Sequence, residues 1–199
     1  HDMDNDGKAE IIATNVTDNV IDIFQNTSSA GDISFPDAPD QFAIEGAVSI
    51  SAFDIQDLNN DGFDEVIIIQ NRREDIFILP NDSDNGDIKF GEIVQLSQDG
   101  NLSTVKAADM NGDGFSDLVT MDGGTTGSSP EFNDAHIFLN TTGTAGNNIS
   151  FSKNNTVQVN GNPESLDFGD LNGDEKIDIV TTSLKSNATS GLTVLINNT

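Results

Sequence analysis

The chain has no cysteine, no tryptophan and no tyrosine, and its 199 residues include only two histidines, five prolines and eight basic residues. The lack of cysteine rules out a disulfide framework and a thiolate nucleophile, and removes the ligand that structural zinc sites favour. With no Trp or Tyr, the chain lacks the flat aromatic faces with a polar handle on which sugars usually stack. Its aromatics are 12 phenylalanines, which fall mostly at strand positions and read as core. His1 opens the sequence, and His136 sits beside Ile137 and Phe138 in an apolar segment, so it reads as a structural histidine. No serine lies in a G-x-S-x-G elbow. Paired acids can hydrolyse glycosides, but the acids here recur at a fixed spacing that suits a metal better. These absences argue against an enzyme.

The shortage of basic residues is also informative. Eight Lys and Arg face 34 Asp and Glu, for a net charge of −26. Such a chain repels nucleic acid and anionic lipid, so neither is an expected partner. No apolar run is long enough to span a bilayer as a helix, and membrane insertion is not expected.

The sequence does have a nine-residue acidic stretch, four times over. It reads DMDNDGKAE from Asp2, DLNNDGFDE from Asp57, DMNGDGFSD from Asp109 and DLNGDEKID from Asp170. Each copy has Asp first, Asp or Asn third, Asp fifth and an acid ninth. Oxygens at alternate positions of a tight loop converge on one centre, and hard oxygens in that number are what calcium takes. Gly7, Gly62 and Gly114 occupy the sixth position, where a sharp turn favours a residue without Cβ. Glu175 stands there in the fourth copy, which is expected to be strained or differently turned.

An EF-hand would add an acid at the twelfth position and flanking helices. The twelfth residues are Ala13, Ile68, Thr120 and Thr181. From the ninth position onward the loops run into EIIAT, EVIII, DLVTM and DIVTT, β-branched stretches that favour strands. The loops therefore feed strands, and the EF-hand reading fails.

The loops recur at intervals of 55, 52 and 61 residues, a period that points to a propeller or another repeat array. Alternating segments precede the internal loops, with Phe53 and Ile55, Val105 and Ala107, and Leu166 and Phe168 on one face. After the post-loop strand comes a third, VIDIF (20–24), DIFIL (75–79), AHIFL (135–139) and LTVLI (192–196). A polar turn then leads to ISF (33–35), IKF (88–90) and ISF (149–151), read as a short fourth strand. Four short strands per unit make one propeller blade. A β-sandwich array with acidic loops is the alternative. The expected fold is all-β, a partial propeller of about three to four blades of four antiparallel strands. It forms one repeat array over residues 1–199, with units beginning near 2, 57, 109 and 170. A piece of a larger protein is expected, and open edges would favour aggregation.

The loop DLNGDG-x-x-D-[IL]-V, preceded by an alternating strand and followed by one ending in LN or QN, resembles the FG-GAP repeat, also called the VCBS repeat. The ISF turn is similar to that of secreted bacterial repeat proteins. The resemblance spans the chain and implies propeller blades with calcium in the loop between the first two strands. By position it implies Asp2, Asp4, Asp6 and Glu10 as ligands in the first loop, and Asp57, Asn59, Asp61 and Glu65 in the second. The third set is Asp109, Asn111, Asp113 and Asp117, and the fourth is Asp170, Asn172, Asp174 and Asp178. Glu10 and Glu65 are one methylene longer than the usual ninth-position Asp.

The expected function is a calcium-stabilised binding or adhesion scaffold, secreted or on a bacterial surface, where calcium is abundant enough to fill modest sites. Its partners would be a protein or glycan and the rest of its own parent chain. An accessory region of an extracellular enzyme and an export substrate held in a secretion complex are the alternatives. Two features are candidate contact points, the Arg72-Arg73 pair and the Gly-rich insertion GGTTGSSPEFND (123–134).

Overall fold

The β-branched run after each acidic loop forms a strand. In the three sheets that have a strand before the loop, it is the second strand; in the first sheet it opens the order. The computed structural model describes all residues except 48, 71–72, 85, 98–99, 124–133, 144–147, 160, 185–189 and 199. Ile11–Asn15 (β1), Val20–Phe24 (β2) and Asp40–Ala43 (β3) form the first sheet, in that order. Ile50–Gln56 (β4), Glu65–Gln70 (β5), Asp75–Leu79 (β6) and Val94–Ser97 (β7) form the second. Leu102–Ala108 (β8), Asp117–Asp122 (β9), Asp134–Asn140 (β10) and Phe151–Gln158 (β11) form the third. Asn162–Gly169 (β12), Asp178–Leu184 (β13) and Ser190–Leu195 (β14) form the fourth. No helix occurs among the described residues, and the four sheets are consistent with propeller blades. Two of them have four strands and the terminal two have three.

The strand after the loop shows why the sheets stack. All six residues of β5, EVIIIQ, are buried. Val66 and Ile68 join the core between the first and second sheets, whereas Ile67 and Ile69 join the core between the second and third. Period-two alternation thus splits one apolar run between two interfaces. Val119 and Met121 of β9 repeat this toward the fourth sheet, where they meet Leu166 and Ile179. Each fully buried aliphatic side chain contributes roughly 1.5–3 kcal/mol, so neighbouring sheets hold one another folded.

The first strands of the second, third and fourth sheets are neighbours. The Asp54 carboxylate accepts the Ala107 N–H at 2.8 Å, and Lys106 Nζ donates to Asp167 at 2.9 Å. Burial raises the Asp54 pKa, with the Ala107 N–H opposing.

The fourth strand differs from the sequence expectation. Residues 33–35 and 88–90 are not strands, and residues 149–151 meet β11 only at Phe151. These segments instead fold back on the residues after the third strand. Thr27 N–H donates to Ser34 O at 3.0 Å, Asp82 to Lys89 at 2.9 Å and Thr141 to Ser150 at 2.8 Å. Two of their apolar residues serve the spaces between sheets, with Ile88 in the first core and Ile149 in the second. Phe90 meets Phe42 of β3 edge to face, ring centres 4.9 Å apart. The true closing strands, β3, β7 and β11, lie further along the chain.

Candidate metal centre

Each acidic loop is built by its own side chains. The first-position Asp accepts backbone N–H bonds from across the turn: Asp109 takes Gly112 at 2.7 Å, Asp113 at 3.1 Å and Gly114 at 2.8 Å. Asp2, Asp57 and Asp170 do the same for their loops. The third-position oxygen accepts the fifth N–H, from Asp6 to Asp4, Asp61 to Asn59, Asp113 to Asn111 and Asp174 to Asn172, at 2.8–3.1 Å. The fifth-position Asp accepts the seventh N–H in every loop. These nested side-chain turns oblige two residues to adopt left-handed backbone. One is the sixth, with φ near +90° at Gly7, Gly62 and Gly114. Glu175 adopts φ +67° there, so the fourth loop turns as the others do despite its Cβ. The other is the fourth, where Asn5, Asn60, Gly112 and Gly173 all have positive φ, a requirement the spacing of acids did not reveal.

The ninth-position acid has a distinct task. Both its oxygens are engaged by backbone. One accepts the N–H of the second loop residue, from Met3 to Glu10 (2.7 Å), Leu58 to Glu65 (2.7 Å), Met110 to Asp117 (2.9 Å) and Leu171 to Asp178 (3.0 Å). The other accepts the N–H of the asparagine after the third strand: Asn26, Asn81, Asn140 or Asn197. Glu and Asp both reach, so the extra methylene of Glu10 and Glu65 is accommodated.

Those asparagines are functional residues that the acid pattern missed. Asn81 Nδ2 donates to Met3 O at 2.9 Å, Asn140 Nδ2 to Leu58 O at 2.7 Å and Asn197 Nδ2 to Met110 O at 2.7 Å. Each bond ties a sheet to the loop of the sheet before it. Fourth-position asparagines add a second tie, Asn5 Nδ2 to Gly62 O at 2.8 Å and Asn60 Nδ2 to Gly114 O at 3.0 Å. The signal was present in the sequence as the Asn that closes QN, PN, LN and IN after every third strand.

The structure brings Asp2, Asp4 and Glu10 together, each with an oxygen within 4.8 Å of the others, a cluster that can hold a metal ion. Asp6 stands apart in part, since one oxygen pairs with Lys8 Nζ at 3.2 Å. In the other loops the third-position Asn donates to the fifth-position Asp at 2.9–3.1 Å, joining Asn59 to Asp61, Asn111 to Asp113 and Asn172 to Asp174.

The electrostatics favour an added cation. Burial raises the pKa of Asp4, with Asp6 and Asp2 adding repulsion, and burial likewise raises Glu10 and Asp117. Glu65 is pushed up to about 8, chiefly by burial, with Asp61 and Asp57 adding to it against the N–H bonds from Leu58 and Asn81. A carboxylate short of water among like charges is stabilised by a positive ion. The donor set is all oxygen, and each first-position Asp keeps one oxygen that accepts a single N–H and so retains a lone pair; the residues fit a hard cation. Asp170 shifts the other way, lowered first by the Glu175 N–H and then by that of Gly173.

The histidine in the third sheet gains a partner. His136 Nε2 lies 3.1 Å from Asp122 Oδ2, both residues buried, and His136 Nδ1 lies 3.2 Å from Thr156 Oγ1. Asp122 is on the adjacent strand, where the sequence alone could not place it. His1 Nδ1 meets Asp64 at 2.7 Å. Of the contact candidates, Arg72 and residues 124–133 lie outside the described residues; the Arg73 carbonyl accepts the Leu102 N–H at 3.3 Å.

No curated protein matches the chain. A family model does: the stretch holding the second loop, the rest of the second sheet, the third loop and the start of β9, residues 57–120, is an FG-GAP-like repeat.

Proposed function

We propose that this chain is a calcium-stabilised propeller segment of a secreted or surface-attached bacterial protein, and that it serves as a scaffold for binding or adhesion to a protein or glycan. The observation that carries the reading is the gathering of Asp2, Asp4 and Glu10 around one point, on a loop geometry repeated in all four sheets. Calcium would be held by the first-, third-, fifth- and ninth-position oxygens. It would neutralise the loop and pin the turn between the first two strands, so its binding free energy becomes folding free energy. The net charge of −26 suits a medium rich in divalent cations and disfavours nucleic acid.

Thermal unfolding in excess calcium and in EGTA, with bound ions counted by calorimetry, tests the reading. Three or four ions per chain and a large stabilisation are expected. No binding and no shift would remove the calcium role, and with it the argument for an extracellular setting.

A further inference from the structure

The first loop departs from the other three at two places, and both departures face one cleft. Its third residue is Asp4, where the others have Asn59, Asn111 and Asn172. The residue before its clamp asparagine Asn26 is Gln25, where the later units have Pro80, Leu139 and Ile196. Asp4 and Gln25 line a cleft of about 310 Å³ whose wall also holds Asp6, Lys8, Glu10 and Gly86. Gly86 belongs to the second unit, in the polar turn that follows β6, and has φ +86°. That turn is fixed by backbone bonds. Asp84 and Asp87 exchange N–H and carbonyl at 3.1 and 3.2 Å, and Asp82 N–H donates to Lys89 O at 2.9 Å.

Asp4 is only 7% exposed. Its Oδ1 accepts the Asp6 N–H, and its Oδ2 accepts no hydrogen bond among the described residues. That oxygen faces Gly86, where an added Cβ would lie 3.9 Å from it. The Gln25 amide reaches across the same cleft, with Nε2 3.4 Å from Gly86 O. The bond is long, and a carbonyl has a second lone pair to give. The loop's own oxygens are partly spent. Calcium takes about six to eight, but Lys8 engages both oxygens of Asp6, through its N–H at 2.8 Å and Nζ at 3.2 Å. Backbone N–H groups engage both oxygens of Glu10. Resting on the calcium reading above, we propose that the second unit completes the first metal site. The Gln25 side-chain carbonyl and the Gly86 main-chain carbonyl supply neutral oxygens that cap the ion held by Asp2, Asp4 and Glu10. Filling the site then fixes the turn of Gly86 over the first loop, so that metal bound on one unit orders part of the next.

Calorimetric titration with calcium, together with amide hydrogen exchange at Asp84 and Asp87 followed by NMR, tests this in the parent, Gln25→Leu, Gln25→Glu and Asp61→Asn. Gln25 is partly buried, and Leu139 fills its place in the third sheet, so the variants should fold. In the parent, calcium is expected to slow exchange at both amides. Gln25→Leu should weaken one site several-fold, leave the others as they were and blunt the slowing. Gln25→Glu keeps an oxygen but loses the donor to Gly86 O, and should tighten that same site. Asp61→Asn, which weakens the second loop, should leave the slowing intact. Parent affinity in Gln25→Leu, or exchange in the parent that calcium does not change, overturns the shared site while the calcium reading stands. So does a slowing lost in Asp61→Asn, which would assign the effect to the second loop. Equal weakening by Glu and Leu reduces Gln25 to its bond with Gly86 and overturns its role as a ligand. A chain that binds no calcium overturns both readings.

Discussion

Asn140 and Leu58 are 82 residues apart in the chain and 2.7 Å apart in the fold, joined from the side-chain amide of one to the carbonyl of the other. The same amide reaches Ser116 O at 3.0 Å, so one side chain clamps its own loop and that of the sheet before it.

Asn140→Ala should therefore destabilise the protein whether or not calcium is present. It strands the carbonyl of Leu58, a fully buried residue, and a stranded buried polar group costs about 1–3 kcal/mol. Denaturant melts in calcium and in EGTA should show similar losses. A loss confined to calcium would assign Asn140 to the metal instead.

Asp113→Asn separates the metal role from the turn role. The amide oxygen still accepts the Phe115 N–H, which Asp113 accepts at 2.9 Å, and only the exposed bond from Asn111 to the other oxygen is lost, so melting in EGTA should change little. In calcium the variant should melt below the parent and bind one ion fewer. An unchanged ion count would remove Asp113 from the ligand set.

Without metal, stability should fall as pH rises. Glu65 binds its proton more tightly folded, near pH 8, than unfolded, near 4.5. Between those values the native state holds the extra proton, so raising the pH favours unfolding. Asp4, Glu10, Asp54 and Asp117 shift the same way. Melting in EGTA at several pH values between 5 and 8 should decline, and calcium should flatten the decline by stabilising the carboxylates. Rising metal-free stability across that window would contradict this account.

Glu175→Gly should stabilise the fourth loop. Glu175 is held at φ +67°, a conformation that costs an L-residue about 1–2 kcal/mol and glycine little, although glycine's freer unfolded chain offsets part of the gain. The Asp170 bond to its backbone N–H at 2.9 Å is kept. A small rise in melting temperature is expected, and a fall would mean that the Glu175 side chain does something its backbone does not explain.

Much of this was legible because local chemistry and tertiary demand agree. β5 and β9 read as strands from β-branched residues, and their two-sided burial suits unbroken apolar runs. VIDIF and DIFIL coincide with β2 and β6. The fourth strand was misplaced because the apolar residues of IKF answer to the space between sheets, not to a ladder. β7, by contrast, is a half-exposed edge reading VQLS, which carries little hydrophobic signal. In the loops, spacing identified the acids but not their division of labour. Nothing about a ninth-position carboxylate says that both its oxygens will be taken by backbone, one of them from a residue 16 to 23 positions away.

The clamps made by Asn81, Asn140 and Asn197 all end on main-chain carbonyls. A carbonyl is the same whatever side chain it belongs to, and Met3, Leu58 and Met110 already differ. At these clamps one unit can therefore follow another without a matched pair of side chains having to change in step. Such an array can lengthen, shorten or be recombined by duplication and deletion of whole units, leaving the exposed loops free to diverge.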